Sequence, residues 1–211
     1  MHGLAEQTLR TTRAALLAAV VLGALVSTGG TGWAQEGVLL SENEAPRAVF
    51  PAADRFERGE IPLTDALRAR VEQYLQPSKP SLWEPRYVTF SAWQGDTLLG
   101  RAFLVEEIGK HRPITFVVGV RADGHVQDVA VVAYREAYGG EIRNKRFLVQ
   151  YRDKGTADSL QPNQAITNIA GATLSVEAAS RAVKKALAVA QATAGGEDFD
   201  GGQRHAALAP Q

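Results

Sequence analysis

The sequence predicts an α+β domain in which an antiparallel sheet of two hairpins is flanked by helices. Two turn signals and a set of amphipathic stretches lead to it. Tyr87–Trp93 and Thr97–Ile108 flank Gln94-Gly95-Asp96, the first hairpin signal. Ile114–Val120 and Val126–Tyr134 flank Ala122-Asp123-Gly124-His125, whose Asp-Gly pair favours a tight turn. Helical periodicity marks stretches near residues 64–75, 142–151 and 175–190. The sheet is therefore expected to be built on the 87–108 and 114–136 hairpins.

Taken in chain order, Ser41 and Glu44 have the spacing of a capping box, and a short helix with Pro46 in its first turns ends at Pro51. Thr64 opens a longer helix that places Leu63, Leu67, Val71, Tyr74 and Leu75 on one face, and Pro77 stops it. Gln76–Pro85 holds three prolines and reads as a loop. The hairpin strands are rich in Val, Ile, Phe and Tyr, which suit a pleated, half-buried surface. Ile142–Tyr151 reads as a helix with Phe147 and Tyr151 on one face, and Arg152–Gln164 reads as a polar loop. The last helix starts near Ser175 and buries Val176, Ala179, Val183, Ala186, Leu187 and Ala190. Its opposite face, with Glu177, Ser180, Arg181, Lys184 and Lys185, is expected to be wet. Four segments result: a targeting signal over 1–34, an N-terminal helical segment packing on the core over 35–85, the main domain over 86–193, and a disordered tail over 194–211.

Composition removes several function classes. Lys+Arg and Asp+Glu balance at 23 each, and no basic stripe forms, so a nucleic-acid partner has no electrostatic support. The absence of cysteine rules out disulfides, thiolate zinc sites, iron–sulfur ligation, CxxCH haem attachment and a cysteine nucleophile. His2, His111, His125 and His205 show no metal-ligand spacing, and no nucleophile elbow or P-loop occurs.

The N-terminus has the layout of a secretory signal. Arg10 and Arg13 precede the apolar run from Ala14 to Val26, and small residues lead to Gly32-Trp33-Ala34. Cleavage after Ala34 would release a near-neutral exported protein. The competing reading is an uncleaved anchor, for which thirteen residues are short.

Ala170-Gly171-Ala172-Thr173-Leu174-Ser175 carries the chemistry. Small residues run straight into a helix start, where free backbone N–H groups and the positive dipole end favour an anion. A phosphate could approach that backbone closely, and the Thr173 hydroxyl could be esterified to it. On residues alone, a tight turn with an ordinary N-cap explains the same stretch. Upstream, Glu136-Ala137-Tyr138-Gly139-Gly140 offers a carboxylate, an aromatic face and two glycines that admit a flat ring. There, too, Glu136 reads equally as a strand-end charge and Tyr138 as a cap on the sheet edge. Lys110 and His111 read as solvent-facing loop residues.

Thr167-Asn168-Ile169-Ala170-Gly171-Ala172-Thr173 resembles the flavinylation motif of the FMN-binding domain family, which runs Asp, two variable residues, Ser or Thr, Gly, Ala, Thr. The family includes the covalent-FMN subunits of the Rnf complex and of the sodium-pumping NADH:quinone oxidoreductase, and the nitrous-oxide-reductase regulatory flavoprotein. Gly171, Ala172 and Thr173 match; Thr167 stands for the Asp and Ala170 for the hydroxyl residue. The likeness extends over roughly residues 86–190, through Gly109-Lys110-His111-Arg112-Pro113-Ile114 before a strand. It also takes in Glu136–Ile142, where the family has Glu-Thr-Pro-Gly-Leu-Gly.

The resemblance implies FMN joined through its phosphate to Thr173, with Ala172, Gly171, Ala170 and Ser175 around the attachment and Glu136, Tyr138, Gly139 and Gly140 beside the ring. It implies a separate flavin transferase, because a threonine alcohol is too weakly acidic to attack unaided and no base is placed by sequence to activate it. It further implies a periplasmic electron carrier, not an enzyme with its own substrate, that exchanges electrons with membrane or soluble redox partner proteins. A non-redox ligand-binding or sensory module with a degenerate motif, and a stand-alone flavin reductase, are the alternatives.

Overall fold

A computed structural model of the chain describes residues 37–194. The expected signal segment lies outside the described residues, as does the tail from residue 195 onward. Among the described residues, no helix is long and apolar enough to cross a membrane.

Five strands form one antiparallel meander in sequence order. They are β1 (Arg55–Pro62), β2 (Arg86–Gln94), β3 (Thr97–Ile108), β4 (Pro113–Arg121) and β5 (Val126–Ala133). The expected hairpins are β2–β3 and β4–β5, and β3–β4 makes a third through the Gly109–Arg112 turn. The α+β class is as the sequence predicts. Arg55–Pro62, to which the sequence analysis assigned no element, adds an edge strand paired to β2 from Arg55↔Trp93 to Pro62↔Arg86.

Side chains alternate across the pleat and build a core on each face. Tyr87, Phe103, Val105, Ile114, Phe116, Val118 and Val131 belong to the larger core. Phe90, Ala92, Ala102, Val117 and Val132 belong to the smaller one. Helix α1 (Ala45–Val49) covers the smaller core with Val49 and Phe50. The reciprocal Ser41–Glu44 bonds that the sequence predicts form in the turn just before it: Glu44 Oε2 accepts from Ser41 N at 2.8 Å, and Ser41 Oγ accepts from Glu44 N at 3.3 Å. Phe50 and Val49 reach the sheet at Gly119, where a Cβ would sit 3.0 Å from the Phe50 ring.

The larger core is covered by α2 (Asp65–Leu75), three short helical turns and α4 (Thr173–Ala192). Thr64 caps α2 by accepting from Leu67 N, and Leu67, Val71 and Leu75 are buried. Tyr74, expected on the apolar face, is 38% exposed. The single helix expected over 142–151 is instead a 3₁₀ turn (Gly140–Arg143), α3 (Lys145–Leu148) and a second 3₁₀ turn (Val149–Tyr151). Asn144 breaks the run, because its extended backbone and its side-chain bond to Arg146 N begin a new helix. Phe147 and Tyr151 still meet edge-to-face, with ring centroids 6.0 Å apart.

α4 differs most from expectation. Residues 182–189 are buried on every side, and Ser180, Lys184 and Lys185 are buried with them. The amphipathic pattern is present, but loops cover the polar face. Lys184 Nζ donates to Thr156 O. Lys185 Nζ donates to Leu82 O at 3.0 Å, Glu106 O at 2.6 Å and Glu84 Oε2 at 2.9 Å, and lies 2.9 Å from Glu107 Oε1. Arg181 reaches the other Glu107 oxygen at 3.2 Å, and Ser81 donates to that oxygen from its backbone N at 2.8 Å. The alanine-rich composition favours helix and lets the backbone lie close to β3.

Removing one partner of a buried charge network leaves the others uncompensated. Lys185→Met should therefore lower unfolding free energy by about 3–5 kcal/mol. Lys110→Met, on the exposed β3–β4 turn, should change it little. Urea titration of both variants measures the difference, and equal midpoints would contradict a structural role for the network.

Candidate functional site

Thr173 is the first residue of α4, two positions earlier than the sequence analysis placed the start. It is exposed, as are Gly171 and Ala170, whereas Ala172 and Ser175 are buried. The N-cap position is Ala172, and no side chain caps the helix. A 20-residue helix therefore begins with its first-turn N–H groups unserved by a capping side chain. Gly171 has φ +81°, and nothing lies within 4 Å of where its Cβ would be. The chain enters the helix through a left-handed residue beside open space.

The Thr173 hydroxyl has one polar neighbour. Asn168 Nδ2 donates to Thr173 Oγ1 at 3.2 Å, while Asn168 Oδ1 accepts from Ile169 N at 2.9 Å. The amide thus holds the hydroxyl as an acceptor and leaves its proton available to another group. The sequence analysis gave Asn168 no role, because its position in the motif is a variable one. Thr167, which stands for the motif's Asp, is exposed, and its backbone N donates to Gln150 Oε1 at 2.8 Å.

Next to this helix start lies an open cleft of about 460 Å³, lined by Tyr134, Glu136–Glu141 and Arg143. That volume falls in the range of small-molecule and cofactor sites. Tyr138 stands 82% exposed at its edge. Gly139 is buried with φ +84°, and a Cβ there would lie 2.5 Å from Ser175 Oγ and 3.0 Å from the Tyr134 hydroxyl. Only a glycine lets this turn approach the first turn of α4 so closely. Thr173 and Ser175 open the same helical turn, one toward solvent and the other against residues that line the cleft.

Tyr134 joins the two halves. Its hydroxyl donates to Tyr138 O and lies 3.1 Å from Ser175 Oγ. Burial pushes the hydroxyl's pKa up; Glu136 and Glu141 add to that, and the Ser175 bond and Arg143 oppose it. It is therefore a protonated donor at neutral pH. Arg143 lies over its ring at 5.6 Å and donates from Nε to Gly140 O at 3.0 Å. In sequence, Tyr134 is simply the last apolar residue of a strand.

Glu136 lines the cleft, and one of its carboxylate oxygens is taken by the β3–β4 turn. Oε1 accepts from His111 N at 2.5 Å and Arg112 N at 2.9 Å. Partial burial pushes its pKa up, but the backbone donors of His111, Arg112 and Lys110 outweigh this and hold it below the usual glutamate range. Gly109 admits this approach, since a Cβ there would be 2.9 Å from Glu136 Oε1. Lys110 and His111 are exposed, and their side chains line no part of the cleft. Among the described residues, no group of three or more His, Cys, Asp or Glu is placed to hold a metal.

Residues 109–188 match the family model described as FMN-binding domain. The match takes in β4, β5, the cleft and most of α4, and leaves out β1, β2 and β3. No curated protein matches the chain.

The cleft yields two expected outcomes. Gly139→Ala should destabilise the fold by about 1–2 kcal/mol, the cost of holding an L-residue left-handed, measured by urea unfolding. An unchanged midpoint would mean that the turn abandons both the left-handed backbone and the contact with Ser175. The second concerns pH. Because the folded pKa of Glu136 is depressed, its stabilisation of the turn is complete above the ordinary glutamate range and is lost as pH falls through the depressed value. Amide-exchange protection at His111 and Arg112 should fall over that interval in the wild type and show no such step in Glu136→Gln, whose amide oxygen accepts without titrating.

Proposed function

We propose, from the premise that this chain carries an FMN-binding domain, that the protein is an exported flavoprotein. It holds FMN by a phosphoester to Thr173 and relays electrons between redox partners. The observation that supports the attachment point is an exposed threonine at the start of an uncapped 20-residue helix, entered through Gly171 at φ +81°.

The residues present fit the group. The first-turn N–H donors and the helix dipole favour a phosphate, by roughly 0.3–1 kcal/mol for the dipole alone. Ala170, Gly171 and Ala172 offer no side chain bulkier than a methyl against that approach. The cleft has cofactor dimensions, with Tyr138 as an exposed aromatic surface and the Gly139–Gly140 backbone as a close-packed edge. When bound, the isoalloxazine supplies one- and two-electron transfer, and the protein supplies position and partial exclusion of water.

Attachment requires a transferase. Thr173 Oγ1 would form the bond to the FMN phosphorus of FAD as the anhydride bond breaks, AMP departs and the transferase takes the hydroxyl proton. Asn168 suits that step by occupying an Oγ1 lone pair instead of the proton. Export is suggested by the N-terminal charge and apolar pattern, and a covalent bond keeps the cofactor from being lost outside the cytoplasm.

Co-produced with a metal-dependent flavin transferase, the protein should become yellow and keep its flavin through denaturing electrophoresis. Intact mass should rise by one esterified FMN. Thr173→Ala should abolish the added mass, and Thr173→Ser should retain part of it. Gly171→Val should lower the yield without unfolding the domain, since the left-handed backbone is lost. Thr167→Asp with Ala170→Ser should raise it. A colourless wild type, with the transferase shown active on another acceptor, would remove the covalent reading and favour a non-redox binding module.

A further inference from the structure

We infer that Tyr134 is a positioning residue for the flavin ring: its hydroxyl sets the distance between the attachment helix and the glycine turn that would border the ring. The inference rests on the flavoprotein reading above and assigns a role to a residue outside the flavinylation motif.

Proton accounting carries the argument. A tyrosine hydroxyl has one proton and accepts with its lone pairs. Tyr138 O is a carbonyl and can only accept, so the Tyr134 proton goes to it. The 3.1 Å contact with Ser175 must then run the other way, with Ser175 Oγ–H donating to Tyr134. The chain of donors is therefore Ser175 to Tyr134 to Tyr138 O, and it has one direction. It links the third residue of α4 to the peptide before Gly139 through a single buried oxygen.

Nothing else among the observed contacts serves that purpose so directly. The Tyr134 backbone is fixed by the sheet and by its N–H donating to Gly37 O at 2.7 Å. The ring is covered by Arg143, which is itself tied to Gly140 O. Gly139 packs against both Ser175 and the Tyr134 hydroxyl. Removal of the hydroxyl oxygen unfastens Tyr138 and Ser175 together while leaving the aromatic core contact in place. Thr173 and Asn168 touch neither partner directly, so attachment and ring placement are separable.

Three variants test this after modification by the transferase: Tyr134→Phe, Ser175→Ala and the double variant. Signals are taken per attached FMN, counted by intact mass, so a change in loading does not enter them. Each single variant should show a severalfold rise in attached-flavin fluorescence and a visible-region circular dichroism signal reduced toward that of free FMN. The double variant should match Tyr134→Phe, which already cuts both links, whereas Ser175→Ala leaves the bond to Tyr138 O in place. Ser175→Thr, which keeps a hydroxyl, should restore most of the wild-type signal. In the unmodified protein, amide exchange at Gly139 and Gly140 should quicken in Tyr134→Phe.

Wild-type fluorescence and dichroism in Tyr134→Phe, even with lower unfolding stability, would overturn the inference and leave Tyr134 as a core residue. Additive effects of the two singles would also overturn it. Should Tyr134→Phe fail to fold, Ser175→Ala alone decides by the same readouts. A wild type that takes no flavin would defeat the flavoprotein reading itself; a modified wild type with unresponsive variants would defeat only the role of Tyr134.

Discussion

The buried ammonium of Lys185 fixes where α4 lies, and the location of the candidate site follows from it. Its four oxygen partners come from the loop before β2, from the backbone of β3 and from two glutamates, Glu84 and Glu107. With Arg181 and Ser81 on Glu107, two cations face two carboxylates in a closed set. Burial pushes the Glu84 carboxyl's pKa up, and Lys185 is the strongest influence opposing it. Such a network contributes little net stability over an apolar substitute. Its value is registry: an ammonium aimed at oxygens from two chain segments does not slide by a helical turn without losing them. Thr173 lies twelve residues earlier on the same helix, so ~18 Å of rigid rod transmits that registry to the site.

The same network shows why part of the structure could not be read from the sequence. Periodicity shows which face of a helix is apolar, but not whether a loop returns to cover the other face. The wet face expected for Lys184 and Lys185 assumed bare solvent there, whereas the 76–85 and 152–160 segments supply carbonyls at the reach of a lysine stem. β1 was hidden for a related reason. Arg55, Glu57, Arg58 and Glu60 give it a charged, exposed character, as befits an edge strand that must avoid pairing with other chains. By contrast, the hairpins were legible because Gln-Gly-Asp and Asp-Gly are local signals, and α2 because Thr64 and Pro77 mark its ends.

The site was legible in the same uneven way. Gly171-Ala172-Thr173 announced a helix start open to an anion, and the structure places Thr173 there. Gly139 and Gly140 announced a close approach, which turns out to be to Ser175 and Arg143. Glu136 was grouped with the ring on family likeness, yet its carboxylate holds the β3–β4 turn. It both lines the cleft and anchors the backbone beneath it. Tyr134, Arg143 and Asn168 carried no sequence signal, because each acts on an atom distant in sequence or on a backbone carbonyl.

Local rules are broken where the site lies, and the physical reason is common to the breaks. An alanine at the N-cap forgoes about 1 kcal/mol that a serine or aspartate would supply. Gly171 and Gly139 hold left-handed backbone at an entropic cost that an ordinary loop avoids. A capping side chain would occupy the first-turn N–H groups, and a Cβ at Gly139 would push the cleft off the helix. Each concession keeps donors or space free at the exposed opening turn of α4. The middle of the helix is the opposite case: residues 182–189 are buried on every side, and just beyond the helix Thr193 Oγ1 donates to Val189 O at 2.9 Å. Stability concentrated in the enclosed part of the helix is what lets its opening turn remain uncapped and exposed, and a tethered anion at that turn would satisfy the donors that the fold leaves unpaired.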